Sequence, residues 1–205
     1  MIVIVNYGLG NLESIKNMLK KVGFESVISS NPEQIRKASK LILPGVGAFD
    51  NGMNNLHELQ IIPVLEERVF QKKTPILGIC LGMQLFTKKS EEGIMAGLGW
   101  IDAETVRFRF HEEKEKLKIP HMGWNTITCK KESTLFRDPF SEMRFYFVHS
   151  YHAVCQRGDD ILTETHYGYD FTSSFQKENI IGVQFHPEKS HRFGMKLLKN
   201  FVDLC

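Results

Sequence analysis

The sequence is poor in cysteine: only Cys80, Cys129, Cys155 and Cys205 occur, with no CxxC pair and no Cys/His cluster among them. That spacing argues against a disulfide framework and a zinc site, so each thiol has to be read by itself. Long apolar runs are also missing. The opening stretch Ile2-Val3-Ile4-Val5 is far too short for a signal core or a membrane span, and no basic segment precedes it. It reads as the first strand of a cytosolic protein. Nor is there an excess of one charge: 26 Lys and Arg face 24 Asp and Glu, a formal net charge of +2. The balance gives no footprint for nucleic acid or an anionic membrane. Linkers, repeats and low-complexity segments are absent, so residues 1–205 are expected to form one domain with an ordinary hydrophobic share of 42%.

What is present divides into two halves. In the first, short apolar runs alternate with helical periodicity. Ile2 to Val5 is a strand, and Leu12, Ile15, Leu19 and Val22 recur at helical spacing until Gly23 stops them. Lys40 to Leu43 is a second strand, ending at Pro44-Gly45-Val46-Gly47. Leu56, Leu59, Ile62, Leu65 and Val69 form the stripe of a further helix, and Ile76 to Ile79 is a strand running into Cys80 and another helix. This order predicts an α/β fold, a three-layer domain with a mostly parallel central sheet. In the second half, 107–110, 119–129, 144–154, 161–166 and 180–185 read as strands with little helix between them, hence as antiparallel additions. Phe193, Leu197, Leu198 and Phe201 suggest a closing helix. The charged run His111 to Lys116 reads as a solvated turn.

Gly78-Ile79-Cys80-Leu81-Gly82 has the form G-x-C-x-G between a buried strand and a helix, the cysteine version of a nucleophile elbow. A sharp strand-to-helix turn projects the nucleophile, and glycines two residues to either side let backbone pass closely. The helix N-terminus favours thiolate, and the Leu81 N–H points where an oxyanion would form. The competing reading is a buried structural cysteine, since a free thiol packs like a small hydrophobe. A thiol nucleophile needs a base and the base an orienting group. Of the eight histidines, His186 in Gln184-Phe185-His186-Pro187-Glu188 ends an apolar strand. Residues i and i+2 of an extended segment share a side, so Glu188 can lie beside the imidazole, and Pro187 stiffens the arrangement. His149 and His152 compete but have no acid two residues on.

Together these residues resemble the class I (triad) glutamine amidotransferases. Stretches carrying the resemblance run over nearly the whole chain: Asn6-Tyr7-Gly8-Leu9-Gly10-Asn11, Pro44-Gly45-Val46-Gly47-Ala48-Phe49, Cys80 to Leu85, Pro120-His121-Met122-Gly123-Trp124-Asn125, Val148 to Tyr151, and Gln184 to Ser190. The similarity is greatest to members that act as glutaminase subunits beside a separate (β/α)8-barrel cyclase or synthase subunit. It implies that L-glutamine is the substrate, with no cofactor or metal, and that Cys80, His186 and Glu188 form the triad. It further implies an oxyanion hole from Val46 and Leu81, and substrate contacts from Gly45, Gly47, Gln84, Glu92, Ser150 and Tyr151. For Gln84 and Glu92 the alternative is a solvated helix face, and for Ser150 and Tyr151 a buried strand.

Asn11, Met122 and Trp124 are expected near the barrel partner, with a core position as the alternative for Trp124 and a helix N-cap for Asn11. The Gly8-Leu9-Gly10 run does not continue as G-x-G-x-x-G, because position 13 is Glu, so a nucleotide loop is disfavoured. Histidine biosynthesis is the expected destination of the ammonia. The stretch Ser190-His191-Arg192-Phe193-Gly194 resembles copies of such subunits found outside histidine biosynthesis, which implies the alternative, amidation of a surface sugar. The sequence leaves two rivals: a stand-alone cysteine hydrolase, and a binding module, which would be expected to have lost its nucleophile or base.

Overall fold

A computed structural model describes residues 1–110, 117–138, 140 and 142–205; the charged run at 111–116 lies outside them. The first half builds β1 (Ile2–Val5), α1 (Leu12–Lys21), β2 (Ser26–Ser29), α2 (Pro32–Arg36) and β3 (Lys40–Gly45). It continues through α3 (Phe49–Glu58), α4 (Ile62–Glu66), β4 (Ile76–Cys80) and α5 (Leu81–Leu85). The second half is almost all strand: β5 (Ala103–Arg107), β6 (His121–Thr126), β7 (Thr128–Cys129), β8 (Arg144–His149) and β9 (Tyr151–Cys155). Then come β10 (Ile161–Tyr167), β11 (Tyr169–Lys177), β12 (Ile180–Val183) and the closing helix α6 (His191–Leu204).

The main sheet runs β2-β1-β3-β4-β12-β11-β10-β7, with β9 joining β11 and β5 joining β9. From β2 to β12 every pairing is parallel; beyond β12 every pairing is antiparallel. Strands β6 and β8 form a separate antiparallel ribbon. The parallel strands are buried on both faces because alternate residues serve opposite layers. Val3, Val5, Leu41 and Leu43 pack with Met53, Leu56, Leu65 and Leu85 from α3, α4 and α5. Ile2, Ile4, Ile42 and Leu77 pack with Ile15 and Leu19 of α1 and Leu197, Leu198 and Phe201 of α6. Three layers result, as the alternating pattern requires.

Several boundaries differ from the sequence reading. The stripe from Leu56 to Val69 is not one helix: α3 ends at Glu58, Gln60 takes a left-handed φ of 53°, and Pro63 opens α4. Leu59, a member of the stripe, is left exposed. Proline belongs in a first helical turn, where its missing N–H costs nothing, so Pro63 marks a new start. The strand expected at 107–110 lies earlier, at Ala103–Arg107, and Ser150 interrupts the one expected at 144–154. Three elements had not been anticipated: β2, α2 and β11.

Candidate active site

The strand β4 delivers Cys80 and β12 leads to His186, and these two strands lie side by side in parallel register, Val183 opposite Ile79. Cys80 has φ 53° and ψ −109°, the left-handed kink expected of an elbow. Each flanking glycine has a steric reason. A Cβ on Gly82 would sit 1.8 Å from the Leu43 carbonyl oxygen, and one on Gly78 would sit 2.7 Å from the Gly82 carbonyl oxygen. Only bare backbone allows α5 to start so close to β3 and β4. The thiol is not thrown into the open, however. Cys80 is 7% exposed and forms the floor of a cleft of about 500 Å³.

His186 and Glu188 are buried together, and His186 Nδ1 lies 2.8 Å from Glu188 Oε1. A carboxylate can only accept here, so Nδ1 carries the hydrogen and Nε2 is left for Cys80. Burial works against the charged imidazolium, but the nearby Cys80 charge, with the Glu188 hydrogen bond behind, raises His186 to about 10. Burial likewise pushes the Glu188 carboxyl up; His186 and a further contact from Asn11 outweigh it and hold Glu188 below its ordinary value. The arrangement is a sulfur, an imidazole favoured in its charged form and a carboxylate in succession.

The oxyanion and substrate candidates gather round the same cleft. Val46, Gly47, Leu81, Gln84, Glu92, Ser150 and Tyr151 all line it. Gly45 does not; it is packed beneath, where a Cβ would meet the Tyr7 hydroxyl at 2.2 Å and Leu81 Cβ at 2.9 Å. Gly47 has φ +112°, a conformation that favours glycine. Gln84 is neither solvated nor disengaged: it is 5% exposed, and its Nε2 donates to the Tyr151 carbonyl at 3.1 Å and to Gln184 Oε1 at 3.0 Å. Glu92 is not on a helix. Its Oε2 accepts from the Phe49 N–H at 2.9 Å, capping α3, which brings a carboxylate to the rim of the cleft.

Asn11 occupies the N-cap position of α1 but makes no capping bond with its side chain. Its amide nitrogen is turned instead on Glu188 Oε1, 3.4 Å away. Met122 and Trp124 are 62% and 45% exposed, so Trp124 is not core. They stand on one face of β6, with Trp124 stacked on His191 at 5.5 Å. The competing histidines are occupied elsewhere: His149 Nδ1 bonds the Tyr151 carbonyl and His152 Nε2 the Tyr169 hydroxyl. Among the described residues no group of three or more His, Cys, Asp or Glu side chains converges as a metal site would, and no helix is long and apolar enough to cross a membrane.

Two residues of the site had been given no role. Gln184 is fully buried and its Nε2 lies 3.6 Å from Cys80 Sγ. The signal was available, since Gln184 precedes His186 by two residues and so shares its side of the extended segment. Tyr7, also fully buried, has a hydroxyl beside Gly45 with no hydrogen-bond partner among the described residues. Burial and the nearby Cys80 charge push that hydroxyl well above its ordinary value, so it stays protonated. Nothing in the local sequence marks Tyr7, because its place depends on how β1 meets β3.

A parallel sheet with a cysteine elbow, and a His-x-Glu pair arriving on the adjacent strand, defines a cysteine-dependent amide-hydrolysing class. The family model for class-I glutamine amidotransferases matches residues 3–205, and the chain belongs to that family of glutamine-hydrolysing enzymes. Among named relatives, imidazole glycerol phosphate synthase subunit HisH 2 of Methanococcus maripaludis is 55% identical over 98% of both chains. The protein of the same name in Pseudomonas aeruginosa is 50% identical over the whole of both. A crystal structure titled glutamine amidotransferase superposes with a TM-score of 0.72 at 20% identity, covering 100% of this chain and 98% of that one. It supports the fold.

Proposed function

We propose that this chain is the glutaminase subunit of an imidazole glycerol phosphate synthase, acting as one catalytic unit in the cytosol. The observation that carries the catalytic assignment is Cys80 in the cleft wall, on the strand beside the one that leads to the buried His186–Glu188 pair, which is bonded at 2.8 Å. Identity of 55% over nearly the full chain to a protein of that name carries the pathway.

In the first step the Cys80 thiolate attacks the carboxamide carbon of L-glutamine, and the carbonyl oxygen becomes an oxyanion held by the backbone N–H groups of Val46 and Leu81. His186 Nε2 gives its proton to the departing nitrogen, ammonia leaves, and a thioester remains. His186, now neutral, takes a proton from water as that water adds to the thioester, and the Cys80 thiolate departs from glutamate. Glu188 keeps the imidazole in one tautomer throughout. Glu92 at the cleft rim suits the ammonium group of the substrate, and Gly47, Ser150 and Tyr151 shape the rest of the pocket. The ammonia passes to a separate (β/α)8-barrel synthase subunit that docks over Asn11, Met122 and Trp124.

Cys80→Ser tests the chemistry: a folded variant should release no ammonia from glutamine, and persistent release would remove Cys80 as the nucleophile. A second reading, suggested by the resemblance at Ser190 to Gly194, is that the acceptor is a surface sugar. Complementation of a histidine auxotroph lacking this subunit, with and without the barrel partner, separates the two. Growth only with the partner selects the histidine pathway; no growth in either case selects the sugar.

A further inference from the structure

One buried polar assembly lies outside the triad. His121 on β6 and His149 at the end of β8 are register partners across the ribbon, with His121 Nδ1 3.1 Å from His149 Nε2. Their tautomers follow from their neighbours. The Tyr151 carbonyl, 2.7 Å from His149 Nδ1, can only accept, so Nδ1 carries the hydrogen and Nε2 of the neutral ring is an acceptor. His121 must then donate from Nδ1 and accept at Nε2, where the Asn125 Nδ2 amide lies 3.2 Å away. The Asn125 amide is itself fixed, because its Oδ1 accepts from the Thr126 N–H and its Nδ2 also donates to the His166 carbonyl.

The succession continues to the sulfur. The Tyr151 carbonyl that receives His149 also receives Gln84 Nε2, and the same Nε2 donates to Gln184 Oε1. That leaves Gln184 Nε2 to face Cys80 Sγ. No link between Asn125 and Cys80 can be reversed without stranding a buried donor or acceptor. Both rings are held neutral. Burial lowers His121 to about 4. For His149, burial outweighs the Tyr151 bond and holds it well below its ordinary value.

We propose that His121 and His149 are positioning residues for the nucleophile: the hydrogen-bond succession that begins at Asn125 meets Gln84 on the Tyr151 carbonyl, and so fixes the Gln84–Gln184 pair and the N–H aimed at the Cys80 sulfur. This rests on Cys80 being the glutaminase nucleophile. His121 is sandwiched between Tyr167 and Phe147, ring centroids 4.1 and 4.8 Å away, which gives a clean test. His121→Phe keeps an aromatic ring in the stack and removes both nitrogens.

The readout is alkylation of Cys80 by iodoacetamide across pH in the full chain, alongside steady-state glutamine hydrolysis with the synthase partner. His121→Phe should alkylate roughly fivefold more slowly at pH 7, with the rate profile moved to higher pH, as expected for one weakened hydrogen bond. Its kcat should fall by a similar factor with KM changed less than about twofold. Asn125→Asp, at the half-exposed end, places an acceptor against an acceptor and should move the profile in the same direction. Wild-type rates and profiles in both folded variants would overturn the proposal, as would losses that merely follow the melting temperature without a shift along pH. Should His121→Phe not fold, the Asn125→Asp profile decides alone. Labelling of the wild type by a diazo-ketone analogue of glutamine tests the nucleophile separately: labelled protein upholds it, and unlabelled protein overturns it, whatever the variants do.

Discussion

His186 stands between a sulfur and a carboxylate, and that position makes its protonation a property of the site. Its folded value, about 10, lies above the ordinary 6.5. Stability contributed by the imidazolium is therefore complete below about pH 6.5 and is lost as pH rises through about 10. Melting temperature should fall across that window, and the fall should flatten in Cys80→Ser, which removes the charge opposing the burial penalty; an identical slope in both proteins would contradict the assignment. Glu188→Gln should cut kcat for glutamine by at least about a hundredfold, since an amide cannot hold the imidazole tautomer as a carboxylate does. The elbow and the His186–Glu188 pair were readable because their geometry is local: an elbow needs glycines at fixed offsets, and a strand end puts His186 and Glu188 on one side. Tyr7 was not readable, since its closeness to Gly45 is decided by the pairing of β1 with β3. Gln84 was assigned to substrate, yet its amide nitrogen is spent on Tyr151 and Gln184, an engagement invisible until β9 and β12 are placed.

At the scale of the element, α5 is defined more by what it touches than by its own propensity. It has five residues, begins at the kinked Cys80, and fits only because Gly82 leaves room for the Leu43 carbonyl. Gly82→Ala should destabilise the fold by at least about 2 kcal/mol, as overpacking against rigid backbone does, with loss of glutaminase activity; a melting temperature equal to wild type would show that α5 can move aside. The parallel strands were legible because burial on both faces leaves unbroken apolar runs, as in β1 and β4. β2, which reads Ser-Val-Ile-Ser, carries only a short apolar centre and escaped notice. The stripe through Leu59 misled because periodicity records spacing and not continuity: Gln60 turns the chain and Pro63 restarts it.

For the whole molecule, the exposed aromatic face of β6 and the triad meet through one short segment. The His186 N–H bonds the Tyr146 carbonyl on β8, and Trp124 stacks on His191 just past Glu188. An exposed tryptophan over such a segment is the expected anchor for a partner. Trp124→Ala should weaken binding of the synthase subunit by at least about tenfold while leaving the melting temperature of the free chain within a few degrees; undiminished affinity in a titration would move the interface elsewhere. The solvent-facing positions of the ribbon could be guessed from the resemblance alone. Alternation along β6 does not say which side meets water, because polar His121 is buried while apolar Met122 is exposed.

The last strand in the chain, β12, is inserted in the middle of the sheet, between β4 and β11. During synthesis the elbow sulfur therefore emerges from the ribosome 104 residues ahead of the glutamine that faces it, and still further ahead of its base. A nascent chain stalled before residue 180 carries Cys80 without His186 and leaves β4 an open edge. Truncation anywhere before residue 180 should therefore leave a chain that hydrolyses no glutamine, whatever becomes of its parallel half.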